Sequence, residues 1–281
     1  MAGDLWREMR SAMGGAPWFR SQLFVLAISL AVQRTGGFWE VMLRDQHVGP
    51  VGTLGTAHYD QYDNVFLQVR GRKRILLFEP RAGYRGLRPF PVHHPYDMRA
   101  RNDPEKDFRG KDQPGLELLQ GCGYVADLLP GDALYIPSHW WHHVTAVPQR
   151  ENSSSSRESS SAGWCISVNF WFDTVTGALL RPSYPFGSHL EVELARQVEY
   201  LVADTFGASA VAAFMARCKR HLDSNDEESL GSPGEEDIAE LAVRNYVLRS
   251  VALALGPSSV RLFIEDYLHP RRWEDLPRNC F

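Results

Sequence analysis

The sequence predicts a mainly β domain, a barrel or sandwich, followed by helical additions. Between about Val51 and Trp171 the chain falls into short runs rich in β-branched and aromatic residues, separated by Gly, Pro and Asp turns. From Ser188 onward the apolar pattern changes to a helical period. Strands come first and helices last, so the chain does not read as alternating βαβ units.

Residues 1–45 mix Trp, Arg and apolar residues and read as a partly helical lead-in. Within them "LFVLAISLAV" (Leu23–Val32) is too short to span a bilayer, and the "QRTGG" behind it is a poor signal-peptidase site. A buried helix or strand is expected there. "VFLQV" and "RILLF" flank "RGR" and predict a hairpin turning at Gly71. "PGDALYIP" predicts a turn feeding a strand, and "WCISVNFWF" predicts another strand. The Ser-rich stretch 149–163 has nothing to bury and is expected to be a disordered loop. Ser188 followed by Glu191 predicts a capping box. It opens a helix with Leu190, Leu194, Val198 and Leu201 on one face, and Gly207 ends it. "SAVAAFMARCKRHL" predicts a second helix, and two more are broken by "GPSS". The expected organisation is a lead-in (1–45), a strand domain (46–187), a helical pair (188–222), an acidic linker (223–237) and extra C-terminal helices (238–281).

Composition narrows the classes. A net charge of −4 gives no general field for nucleic acid or an anionic membrane, so direct binding to either is not expected. Cys122, Cys165, Cys218 and Cys280 form no Cys-x-x-Cys pair. That argues against zinc fingers and disulfide frameworks and for a reducing compartment. The expected location is the cytoplasm, with nuclear access left open. Lysine is rare, since only four of the 30 basic residues are Lys, which makes Lys73 conspicuous.

The chemistry is concentrated in "TAHYDQYDNVFLQVRGRKRILLFEP" (Thr56–Pro80). On a strand, His58 and Asp60 face one point together, with Tyr59 turned away. One His and one carboxylate are two-thirds of a facial triad that holds iron(II) and leaves positions open. The third ligand should be a His on a distant strand, and "HWWHHV" offers His139, His142 and His143. Asn64 and Asn169 alternate with apolar residues on their strands, which turns their amides inward.

Four stretches in order, the one just quoted with "PFPVHHPYD", "PGDALYIPSHWWHHV" and "VNFWF", resemble the asparaginyl hydroxylases known as factor inhibiting HIF (hypoxia-inducible factor). These belong to the JmjC branch of the iron(II)- and 2-oxoglutarate-dependent oxygenases. The likeness runs from about Val51 to Leu222. It implies a double-stranded β-helix of the cupin/JmjC kind, a jelly roll whose mouth holds the metal. By the resemblance the ligands are His58, Asp60 and His142, and strand alternation puts Val144 on the face of His142 and His143 on the other. It also implies that Lys73 takes the far carboxylate of the co-substrate, that Asn64, Phe66, Asn169, Thr56 and Val144 line the co-substrate pocket, and that Trp171 and Arg99 stand on the substrate side.

The implied activity is dioxygenase hydroxylation of a protein side chain, Asn or else Asp or His, in an extended or ankyrin-type peptide. It uses Fe(II), 2-oxoglutarate and O2, with ascorbate as support in vitro. The implied partners are a protein or peptide substrate and a second copy of the chain, joined through the helical pair in a homodimer. Two other readings share these residues: a JmjC N-methyl demethylase, and a non-catalytic metal-binding cupin-like module. The chain also departs from the family pattern. Gly55 stands where the family has a threonine, Met98 and Arg99 replace an Arg-Gln pair, and no tyrosine precedes Tyr59. Residues 238–281 have no counterpart.

Overall fold

The computed structural model describes residues 18–19, 46–105, 115–148, 163–172, 185–224, 237–274 and 276. The lead-in other than Trp18–Phe19, the run Leu23–Val32, nearly all of the Ser-rich stretch and most of the acidic linker lie outside the described residues. Contacts divide the chain into two compact units, Met1–Leu77 with Gly123–Thr176 and Phe78–Cys122 with Gly177–Phe281. Residues 78–122 therefore group with the helices rather than with the strands that flank them in sequence.

The first unit is built from β1 (Trp18–Phe19), β2 (Gln46–Pro50), β3 (Leu54–His58), β4 (Asp63–Arg70), β5 (Arg72–Phe78), β6 (Gly123–Leu128), β7 (Ala133–Ile136), β8 (Trp141–Val147) and β9 (Trp164–Phe172). One sheet runs β1-β7-β4-β9-β2 and the other β3-β8-β5-β6. The chain alternates between the sheets from β2 to β5 and again from β6 to β9, which makes a double-stranded β-helix. Both sheets turn apolar side chains inward. Phe66, Ile75, Leu77, Ala126, Leu128, Leu134 and Ile136 form one buried cluster, with Trp140 and Val144 packed against it. Each such side chain contributes about 1.5–3 kcal/mol by leaving water.

The hairpin expected at Gly71 does not form. β4 pairs with β7 and β9, whereas β5 lies in the opposite sheet. Alternating apolar faces on two successive strands suit a hairpin and a crossing between sheets equally, and the turn residues do not separate them. Only the partners supplied by β7, β8 and β9 decide. Gly71 still carries the turn, at φ 77°, and a Cβ there would stand 3.0 Å from the Cα and Sγ of Cys165. Gly71→Ala is expected to destabilise the protein by about 1–2 kcal/mol. An unchanged urea midpoint for this variant would remove that assignment.

The second unit contains α1 (Pro80–Gly86), α2 (Ser188–Phe206), α3 (Val211–Asp223), α4 (Ile238–Leu255) and α5 (Val260–Tyr267), with 3-10 turns at Leu116–Leu119 and Pro270–Trp273. Gly207 and Gly256, at φ 92° and 87°, end α2 and α4. The capping box is absent. Gly187 occupies the N-cap, Ser188 is already helical, and no side chain caps the helix. Glu191 is engaged elsewhere, accepting from Arg81 Nη2 at 3.1 Å and from the Tyr267 hydroxyl at 2.8 Å. Two charge-assisted partners outweigh one exposed cap. Leu190 and Val198 of the α2 stripe are buried, with Val211, Phe214 and Met215 of α3.

Residues 238–274 belong to the core of this unit. Asp266 is 2% exposed and lies 3.3 Å from both Arg81 Nε and Arg85 Nε. Glu199 accepts from Arg272 Nη2 at 3.0 Å, Trp273 Nε1 at 3.0 Å and the Val92 amide at 3.1 Å. Cys218 is buried, which pushes its thiol up to about 12 and leaves it without thiolate character.

Candidate metal centre

The bottom of the site is made by backbone register. β3 and β8 pair antiparallel with His58 opposite His142, and the register shifts between Gly55 and His58. Opposite residues share a face, so both imidazoles point the same way, with ring centroids 4.2 Å apart. Asp60 follows the end of β3, and its Oδ2 lies 3.7 Å from His142 Nε2. One ligand atom from each of His58, Asp60 and His142 falls within 4.8 Å of the others.

The ring orientations suit a metal. His58 Nδ1 bonds the Thr56 carbonyl at 2.7 Å, and His142 Nδ1 bonds the Trp140 carbonyl at 3.0 Å. A carbonyl only accepts, so each Nδ1 carries the proton and each Nε2 keeps its lone pair for a metal. Two imidazoles and a carboxylate on one side match the donor set of a divalent first-row ion such as iron(II).

Two further straps tie together the segments that carry these side chains. The His139 amide donates to the Asp60 carbonyl at 2.7 Å, with His139 itself at φ 63°. Asp63, 4% exposed, accepts from the Tyr135 hydroxyl at 2.5 Å and from the Ser138 amide at 3.0 Å. The turn leading into His142 is thus anchored to the stretch that bears His58 and Asp60. Tyr59 is turned away, packed edge-on against Trp141 at 4.9 Å. His143, on the other face of β8 from His142, is fully buried.

Other buried polar side chains lie on β4, β5 and β9. Asn64 pairs in register with Trp171, Phe66 with Asn169, and Gln68 with Ser167, so these six residues share one face. Asn64 and Asn169 are 2% and 3% exposed, and the Oδ1 of each is buried without a hydrogen-bond partner. Such orphaned groups are rare in a barrel core. Lys73 is 7% exposed and shares its face of β5 with Ile75 and Leu77. Its ammonium lies 5.0 Å from the Phe66 ring centroid and donates to Ser167 Oγ at 2.6 Å. Burial holds its pKa below that of an ordinary lysine, against the influence of nearby Cys165. Arg72 and Arg74 point to the other side and share Asp127, at 3.0 and 3.2 Å.

The remaining expected residues are placed as follows. Val144 packs against the core cluster opposite Gly55. Thr56 is exposed, and its carbonyl holds the His58 ring. Trp171 is half-buried on β9, its Nε1 buried without a partner. Arg99 is exposed in the helical unit, 5.4 Å from the centre of the Tyr96 ring. Sequence reasoning missed Asp63, Ser167 and Gln68. Ser167 could have been found, because it alternates with Asn169 and Trp171 on β9; Asp63 gives no such signal, since its partners are known only once the Pro137–Trp140 turn is placed.

Parts of the chain are similar to known proteins. Residues 44–178 match the family model described as a cupin-like domain. JmjC domain-containing protein 5 of Drosophila melanogaster is 34% identical over 127 residues, covering 45% of this chain and 26% of that protein. Lysine-specific demethylase 8 of Xenopus tropicalis is 31% identical over 100 residues, 35% of this chain and 21% of that protein. HSPB1-associated protein 1 of Rattus norvegicus is 29% identical over 233 residues, 69% of this chain and 43% of that protein. The chain thus spans between 21% and 43% of the length of these relatives. A solved structure of Escherichia coli YcfD aligns with 16% identity over 80% of this chain and 42% of that one, at a TM-score of 0.27, too little to bear on fold or function. Over residues 44–178 the chain is thus similar to cupin-like domains, and the proteins it resembles include JmjC proteins.

Proposed function

We propose that this chain is an iron(II)- and 2-oxoglutarate-dependent dioxygenase that hydroxylates a protein side chain. The observation that carries the reading is the convergence of one ligand atom from each of His58, Asp60 and His142 within 4.8 Å of the others, in a barrel that also buries Lys73. Iron(II), when bound, supplies oxygen activation at the expense of a 2-oxo acid. The protein does the rest. His58 and His142 would hold the ion through Nε2 and Asp60 through its carboxylate, a three-residue donor set that would leave room for a co-substrate. The carbonyls of Thr56 and Trp140 keep both rings in the metal-binding tautomer. Lys73 receives the far carboxylate of 2-oxoglutarate in a site shielded from water, where a charge-assisted bond contributes about 1.5–3 kcal/mol.

The test is succinate release from 2-oxoglutarate with iron and ascorbate, with and without candidate peptides. Release that survives loss of the metal ligands would overturn the reading. Lys73→Ala is expected to weaken 2-oxoglutarate binding about 10- to 100-fold while leaving metal binding intact. Equal affinity for 2-oxoglutarate in parent and variant would contradict the role of Lys73.

The target side chain is proposed as Asn, with Asp or His as the nearest substitutes, in an extended or ankyrin-type peptide. The resemblance to factor-inhibiting-HIF hydroxylases supports this. Met98 and Arg99 replace the pair that grips the amide in that family, so the peptide screen should span all three residue types. A second reading comes from the relative named lysine-specific demethylase 8. Demethylation proceeds through hydroxylation of an N-methyl carbon, so the same three ligands serve it. Mass spectrometry separates the two, as a gain of one oxygen atom or the loss of a methyl group.

A further inference from the structure

Strand register fixes two of the three ligands and leaves the third to be held by other means. It sets His58 opposite His142, but Asp60 lies past the end of β3, in the connection Tyr59–Tyr62 that belongs to no strand. What meets this connection is the turn Pro137–Trp140, which leads into His142. The His139 amide donates to the Asp60 carbonyl at 2.7 Å, and the Trp140 amide closes the turn on the Pro137 carbonyl at 3.2 Å. One turn thus grips one ligand by its backbone and carries another. The turn is strained, since His139 is fully buried at φ 63°, in the left-handed region. A non-glycine residue keeps that conformation only where its surroundings hold it.

Asp63 supplies the hold. β4 pairs with β7 so that Asn64 stands opposite Ile136 and Val65 opposite Tyr135. Alternation places Asp63, Val65 and Tyr135 on the face away from Asn64. Asp63, one residue before Asn64, therefore stands where β7 runs out into the turn. Its Oδ1 accepts from the Ser138 amide at 3.0 Å and from the Tyr135 hydroxyl at 2.5 Å. The carboxylate is 4% exposed, and bonds to a buried carboxylate are charge-assisted. Consecutive amides, Ser138 and His139, thus donate to the two ends of the stretch Asp60–Asp63.

We infer that Asp63 is a positioning residue of the metal centre. It does not join the donor set; it holds the strained turn against the stretch that bears Asp60, and so sets the separation of Asp60 from His142. Losing it alters the geometry around the ion beyond any change in stability. The inference rests on the metal-dependent reading above.

Manganese affinity, the visible spectrum of the cobalt-loaded protein and the urea midpoint are measured for the parent, Asp63→Ala, Asp63→Asn, Asp63→Glu and Gly71→Ala. Asp63→Ala is expected to weaken manganese about 10- to 100-fold and to shift the cobalt bands, which report ligand geometry. Asp63→Asn keeps an oxygen acceptor in place and is expected to restore most of the affinity. Asp63→Glu displaces the acceptor by a methylene and is expected to resemble Asp63→Ala; it answers the question where the alanine variant does not fold. Gly71→Ala lowers stability without touching the turn, so its metal affinity and spectrum should match the parent's. Parent-like affinity and spectrum in Asp63→Ala or in Asp63→Glu overturn the inference. An equal loss in Gly71→Ala also overturns it, as a general effect of stability. A parent protein that binds neither manganese nor cobalt overturns it together with the reading on which it rests.

Discussion

Asp60→Ala is expected to abolish metal-dependent turnover and to lower metal affinity by about 100-fold or more. Loss of an outer-shell partner alone brings about 10- to 100-fold, and a direct ligand contributes more. Three observations make the effect large. The carboxylate supplies the negative charge of the donor set, its Oδ2 lies 3.7 Å from His142 Nε2, and its backbone carbonyl is tied to the His139 amide. The substitution removes the charge and leaves the tie, so fold and metal binding separate. Asp127→Ala, which removes an exposed carboxylate from Arg72 and Arg74, is the matched control and should leave metal binding unchanged. Manganese titration followed by succinate release reads both properties. Parent-like metal affinity in Asp60→Ala would show that the three side chains do not share an ion.

Arg272→Ala should have the largest effect on stability. Arg272 and Glu199 are 3% and 1% exposed, and the guanidinium also lies 4.9 Å from the Tyr84 ring and 4.6 Å from the Trp273 ring. Removing the cation leaves the Glu199 carboxylate buried without its counter-charge, which costs about 3–5 kcal/mol. The Val92 amide and the Trp273 indole still donate to it, but neither carries a charge. Adding Glu199→Gln to Arg272→Ala should recover part of the loss, because it neutralises the stranded group. Denaturant unfolding of the single and double variants measures this. A single variant within about 0.5 kcal/mol of the parent would place Arg272 among ordinary surface residues.

The second result also concerns residues 238–281, for which the family resemblance offered no counterpart. Their helices were legible from apolar spacing, as were the breaks at Gly207 and Gly256. What they are for was not. Asp266, Tyr267, Arg272 and Trp273 read as an ordinary polar and aromatic mixture. Their meaning depends on Arg81, Arg85, Glu191 and Glu199, which lie between about 70 and 190 residues away in the chain. The capping box at Ser188 failed for the same reason. A local motif offered Glu191 one exposed partner, and the fold offered it two better ones.

Within the strand unit the division is equally physical. A period of two residues is a local property, so the sequence alone showed that His58 and Asp60 share a side, that Lys73 parts from Arg72 and Arg74, and that His142 parts from His143. Strand pairing is not local, because each β partner lies tens of residues away and is chosen by the summed burial of both sheets. Only the tertiary structure could turn the expected hairpin at Gly71 into a crossing between sheets. It alone set His58 opposite His142, strapped Asp63 to Tyr135 and Ser138, and brought Ser167 within 2.6 Å of Lys73.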